Sequence, residues 1–152
     1  MSSLGLTYVM RLLARREYSE FEIRCKMQEK GFSETEISQT IEYCHQKNWQ
    51  NDRRFTESYL YSRSQKGYGV NRIRQELYHL KGISFELFEE VLAEVDINWS
   101  EVALSVLRKK FPNYAAMCDG KTRQKIWHYM LSHGFISDDF SDYVNQYPPD
   151  FI

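Results

Sequence analysis

The sequence predicts an all-α chain of three tandem three-helix repeats, about nine helices, stacked into an elongated, curved array. Three observations predict it. The chain has only seven glycines, and Gly31, Gly82 and Gly134 are 51 and 52 residues apart, each directly before a large apolar residue, Phe32, Ile83 or Phe135. Upstream of each glycine, apolar residues sit at helical i, i+4 spacing: Ile23/Met27, Ile73/Leu77 and Ile126/Met130. Downstream, Ile37/Ile41, Phe88/Leu92 and Phe140/Val144 stand 6 and 10 residues beyond the glycine.

The elements follow in order. In the first repeat (residues 1–48) the spacing predicts helices over 4–16, 20–30 and 34–45. Ser19-x-x-Glu22 and Ser33-x-x-Glu36 are capping boxes, whose side chains satisfy the first unpaired N–H groups of the helices they open. Gly31 supplies the left-handed turn that ends a helix, with Phe32 folding back on it. The second repeat (49–97) has helices over 52–66, 70–81 and 85–95, with Gly67-Tyr68-Gly69 breaking the first from the second and Ser84 as N-cap of the third. Its apolar pair lies one residue further from the glycine, so one residue is inserted near Tyr78-His79-Leu80. The third repeat (98–152) has helices over 99–111, 121–133 and 138–146, with Ser137 as N-cap and Pro112 and Pro148-Pro149 after helices. Asn48-Trp49 recurs as Asn98-Trp99 where one repeat hands over to the next, and the longest connection falls near Asn113–Gly120.

Composition narrows the function. Twenty Lys+Arg against 21 Asp+Glu exclude a cationic coat over the whole surface. At 42% hydrophobic and 15% aromatic, the chain has enough apolar material for a core. Cys25, Cys44 and Cys118 are too few and scattered for a disulfide framework. With no basic segment followed by a long apolar one at the start, and no run long enough for a membrane helix, the cytoplasm is the expected location and no membrane a partner.

The chemistry of a catalytic or metal centre is not visible. His45, His79, His128 and His133 have no ligand spacing, and no C-x-x-C or H-x-x-x-H pattern exists, so no metal and no cofactor are expected. No Walker loop, dinucleotide fingerprint or G-x-S-x-G is present, which points away from an enzyme and to a binding or regulatory protein. Asp138, Asp139 and Asp142 read as acids favoured by a helix N-terminus. Trp49, Phe55, Tyr59, Trp99 and Trp127 read as packing residues, whereas Tyr61 and Tyr68 stand beside basic residues as contact candidates.

Charge also alternates along the chain. Residues 53–81 carry seven Lys/Arg against two Glu, and 82–107 carry six acids without a base. Residues 108–128 carry six bases against Asp119, and 129–152 four acids without a base. Amphipathic helices solvate their outer faces in this way, and such blocks also suit a stripe that meets an acidic protein or phosphates. The densest candidate runs Arg63-Ser64-Gln65-Lys66-Gly67-Tyr68-Gly69-Val70-Asn71-Arg72-Ile73-Arg74.

These residues resemble a known family over nearly the whole chain. Leu13-Ala14-Arg15-Arg16-Glu17-Tyr18-Ser19-Glu20-Phe21-Glu22-Ile23-Arg24-Cys25-Lys26-Met27 is similar to the pattern L-x-x-R-x-x-S-x-x-E-L-x-x-K-L, and Asn51-Asp52-Arg53-Arg54-Phe55 to a D-x-R-F opening. Lys66-Gly67-Tyr68-Gly69, with Arg72-Ile73-Arg74-Gln75-Glu76-Leu77 and Lys81-Gly82-Ile83, resembles the most recognisable stretch of RecX, the bacterial regulators of the RecA recombinase. Val70 departs from a common proline, and Ser132-His133 replaces a Tyr/Arg-Arg pair. The resemblance implies a monomer that binds the RecA filament, with at most weak contact to single-stranded or duplex DNA, and inhibits filament extension, ATP hydrolysis and strand exchange. Arg24, Lys26, Arg63, Lys66, Arg72 and Arg74 would then supply charge and Tyr68 an apolar anchor. The alternatives are a helix-turn-helix-like protein binding DNA without RecA, and a generic helical scaffold.

Overall fold

A computed structural model describes residues 3–116 and 119–144. Its helices are α1 (Ser3–Arg15), α2 (Glu20–Glu29), α3 (Glu34–Gln46), α4 (Asp52–Gln65), α5 (Val70–Lys81), α6 (Phe85–Glu94), α7 (Trp99–Lys110), α8 (Gly120–Ser132) and α9 (Ser137–Val144). The chain is all-α, and no strand occurs among the described residues. The described ends lie within one residue of the spacing-based expectation, a difference that terminal fraying alone produces, except that α9 is described to Val144 and the expected end at 146 lies outside the described residues. The long connection holds a 3₁₀ turn, Tyr114–Ala116. Cys118, Pro148 and Pro149 lie outside the described residues.

The chain divides into two compact units: Met1–Tyr59 with Glu76–Val95, and Leu60–Gln75 with Asp96–Ile152. Helices α4 and α5 each contribute residues to both. In the first unit α1, α2 and α3 pack on one another around Val9, Leu12, Ile23, Met27, Ile37, Ile41 and Cys44. In the second, α7, α8 and α9 pack around Ala103, Leu107, Ile126, Trp127, Met130, Phe135 and Phe140, with Trp127 edge-on to Phe140. Burying one such large apolar side chain contributes about 1.5–3 kcal/mol.

Local chemistry explains where helices start. Both capping boxes form: the Ser19 hydroxyl accepts from the Glu22 N–H, and Ser33 from Glu36. Ser84 caps α6 by accepting from the Leu87 N–H. Asn98 caps α7 through the Glu101 N–H, and Asn51 accepts from the Arg54 N–H at the start of α4. Asn98 therefore corresponds to Asn51 and not to Asn48, although the Asn-Trp dipeptide suggested otherwise. Asn48 ends α3 with φ +56°, and the Trp49 N–H reaches back to the Cys44 carbonyl. Ser137 likewise differs from its expected role, being the first residue of α9 and not its cap. Asp139 takes over the capping, accepting from the Ile136 N–H at 3.0 Å. Burial, with Asp138 nearby, raises the Asp139 carboxyl above its ordinary range despite that bond.

Helix ends repeat one device. At Gly31 and Gly134 φ is +88° and +94°, and the next residue, Phe32 or Phe135, donates its N–H five residues back to Met27 or Met130. After α5 the Ile83 N–H reaches six back, to Leu77. The extra residue of this turn leaves Leu80 62% exposed, while Leu77 is fully buried.

The start of one helix meets the end of another in both units. In the first, a Cβ on Gly82 would lie 2.5 Å from that of Phe21 on α2. In the second, the Gly69 N–H donates to the His133 carbonyl at 2.7 Å and the Asn71 N–H to the Gly134 carbonyl at 2.9 Å. Unpaired donors at the start of α5 thus satisfy unpaired acceptors at the end of α8. That close approach admits no side chain: a Cβ on Gly69 would fall 2.4 Å from the Gly134 carbonyl carbon.

Candidate interaction surface

The densest basic stretch folds around Tyr68 in the second unit. Gly67, at φ +93°, ends α4 in the left-handed region, and the Tyr68 N–H donates to the Arg63 carbonyl at 3.2 Å. This turn carries the Tyr68 ring back over the helix it follows. The Arg63 guanidinium carbon lies 4.1 Å from the ring centroid and that of Arg72 lies 4.4 Å away. Each such contact is worth about 0.5–1 kcal/mol at a solvated site. Tyr68 therefore gathers arginines as well as offering a ring edge.

Side chains at the ends of α7 and α8 extend this cluster. The His133 ring lies parallel to Tyr68, within 9° at 5.8 Å, and stacks on Tyr129 at 4.1 Å. Its Nδ1 is 3.0 Å from the Tyr129 carbonyl oxygen. Lys110 Nζ lies 5.4 Å from the Tyr129 ring centre. Beside these rings opens a cleft of about 500 Å³ between the end of α4, one face of α7 and the end of α8, with Lys66, Lys109 and Lys110 in its wall.

The predicted residues separate by unit. Arg63, Lys66, Tyr68, Arg72 and Arg74 belong to the second unit, and Arg74 donates to Asn71 Oδ1 at 2.6 Å. Arg24 and Lys26 belong to the first, where Arg24 pairs with Glu20 one turn before it at 3.1 Å and Lys26 is exposed. The sequence alone did not bring His133 onto Tyr68, nor Tyr129, Lys109 and Lys110 into the cleft beside it. The basic run 108–110 was the available signal, but nothing in the sequence tied it to residues forty positions earlier.

Several basic residues of the first unit form ion pairs within it. Arg53 pairs with Glu90 and Glu94, Arg54 with Glu17, and Lys81 with Glu22 at 2.8 Å. Glu22 also receives both arms of Arg16, at 3.1 and 2.8 Å. Burial works to raise the Glu22 carboxyl, but the bonds from Arg16, Lys81 and the Ser19 N–H outweigh it and hold the group below its ordinary range. Among the described residues no three His, Cys, Asp or Glu side chains are placed to hold a metal ion, and no helix is long and apolar enough to cross a membrane.

Two family models match the chain, the first three-helix domain of RecX over residues 6–44 and the second over residues 51–92. The regulatory protein RecX of Mannheimia succiniciproducens is 62% identical over 144 residues, 95% of this chain and 94% of that one. The chain belongs to the RecX family. The Haemophilus influenzae regulatory protein RecX is 61% identical over 146 residues, covering 96% of each chain. That of Actinobacillus pleuropneumoniae is 41% identical over 137 residues, 90% of this chain and 88% of the other. The crystal structure of RecX from Lactobacillus salivarius has the same fold, with a TM-score of 0.75 at 22% identity over 92% of both chains. A second RecX crystal structure gives 0.74 at 19% identity, covering 92% of this chain and 71% of that one. RecX is a family of regulatory proteins.

Proposed function

We propose that the protein binds the RecA filament in the cytoplasm and inhibits its extension, ATP hydrolysis and strand exchange. The observation that carries the reading is the arginine-clasped Tyr68, set beside Lys66 in the stretch with the strongest RecX resemblance. Guanidinium forks suit carboxylates on an acidic filament surface, and the tyrosine holds two of them side by side. Residues 1–48, 49–97 and 98–152 act as three working repeats, a reading supported by the two family-model matches falling inside the first two. Several weak contacts on one chain add through effective concentration.

The test is RecA's single-strand-dependent ATPase titrated with this protein. Exposed ion pairs contribute up to about 1 kcal/mol each, so Arg72→Ala raises the inhibitory concentration by less than about fivefold. The combined Lys66→Glu, Arg72→Glu and Arg74→Glu variant abolishes inhibition while keeping its helical circular dichroism. Undiminished inhibition by that folded variant would refute the assignment.

A further inference from the structure

The cleft beside Tyr129 has a chemistry of its own. Its cations are the ammonium groups of Lys66, Lys109 and Lys110, which act as point charges. Val102 and Val106 of α7 give it an apolar wall, and Glu101 places a carboxylate at its edge. A phosphate backbone would answer the lysines but leave the valine wall uncovered. A peptide brings carboxylates for the lysines and an apolar side chain for the valines. At about 500 Å³ the cleft lies inside the ~300–1,000 Å³ range of ligand-binding pockets.

We propose that this cleft binds an extended segment of a partner protein in which acidic residues flank an apolar one. The inference deepens the RecA-binding reading by specifying what the third-repeat side of that surface recognises. Lys109 and Lys110 hold the flanking carboxylates, and Val102 and Val106 cover the apolar side chain.

The experiment titrates the full chain into a fluorescein-labelled peptide of alternating Asp and Leu, followed by anisotropy. A Lys/Leu peptide and a labelled oligothymidylate run as parallel arms. The Asp/Leu peptide binds saturably and the Lys/Leu peptide does not. The combined Lys109→Glu and Lys110→Glu variant weakens peptide binding at least about tenfold, and weakens oligothymidylate binding far less. Lys66→Glu, in a different wall of the cleft, weakens the peptide about fivefold and guards against a folding defect in the double variant. Lys30→Glu, in the other unit, leaves it unchanged. No peptide binding below about 1 mM, or equal losses for peptide and oligothymidylate, overturns the proposal. The assay contains no RecA, so failure here with RecA inhibition intact rejects the peptide cleft and leaves the RecA reading standing.

Discussion

At Gly134 a Cβ atom would fall 2.4 Å from the Cβ of Arg72 and 2.5 Å from its backbone nitrogen, with φ already at +94°. At Gly31, with φ +88°, a Cβ would meet nothing within 4 Å. The two positions share a backbone requirement and differ in what stands opposite. Gly31→Ala therefore carries the left-handed penalty alone, about 1–2 kcal/mol. Gly134→Ala adds backbone displacement at the start of α5 and costs more than about 3 kcal/mol. Urea unfolding of the two variants checks this, and equal losses would remove the close approach as a cause. The sequence shows why both are glycine only in part. Helix termination is visible from local spacing, whereas the crowding at Gly134 comes from Arg72, 62 positions away. Tyr68 shows the same limit at the candidate site. Its arginine neighbours were visible within nine residues, but the stacked His133 was not.

Among elements, α5 separates two leucines that sequence alone would treat alike. Leu77 and Leu80 are three apart on one helix, yet one is fully buried and the other 62% exposed. The wide turn that joins the Ile83 N–H to the Leu77 carbonyl explains it, because the inserted residue goes outward so that Leu77 and Ile83 stay in register with the core. Leu77→Ala is expected to cost about 2–5 kcal/mol, and Leu80→Ala to stay within about 0.5 kcal/mol of the parent. Similar losses from both, read by thermal melting, would mean that the extra residue packs. The insertion was legible because the spacing of the apolar pairs counts residues directly. The Asn-Trp dipeptide misled because it matched letters without a phase. Trp99 opens a helix, while Trp49 follows an asparagine that closes one.

Over the whole molecule, charge can be counted from sequence, but its employment cannot. Of the seven bases in residues 53–81, Arg53, Arg54 and Lys81 form ion pairs with Glu90/Glu94, Glu17 and Glu22, all distant in sequence. A block count assigns them to the contact surface, and their folded partners reassign them to holding helices together. Glu22 is the strongest case: its side chain is 10% exposed, and Arg16 and Lys81 reach it from the end of α1 and the end of α5. Its folded carboxyl titrates below the ordinary 4.5. Above pH 4.5 the group is ionised whether the chain is folded or unfolded, so its stabilisation is fully present there. As acid passes below that value the unfolded chain takes up the proton first, and the contribution drains away until the folded group is protonated too. The melting temperature should therefore decline with acid below about pH 4.5. Glu22→Gln should lose about 1–3 kcal/mol at neutral pH, because Arg16 and Lys81 then face a neutral amide. Across the acid range the variant should show a shallower slope than the parent, so that the two melting curves converge. Parallel slopes for parent and variant would show that acid unfolding is governed elsewhere, and that this ion cluster does not bind α2 to α5.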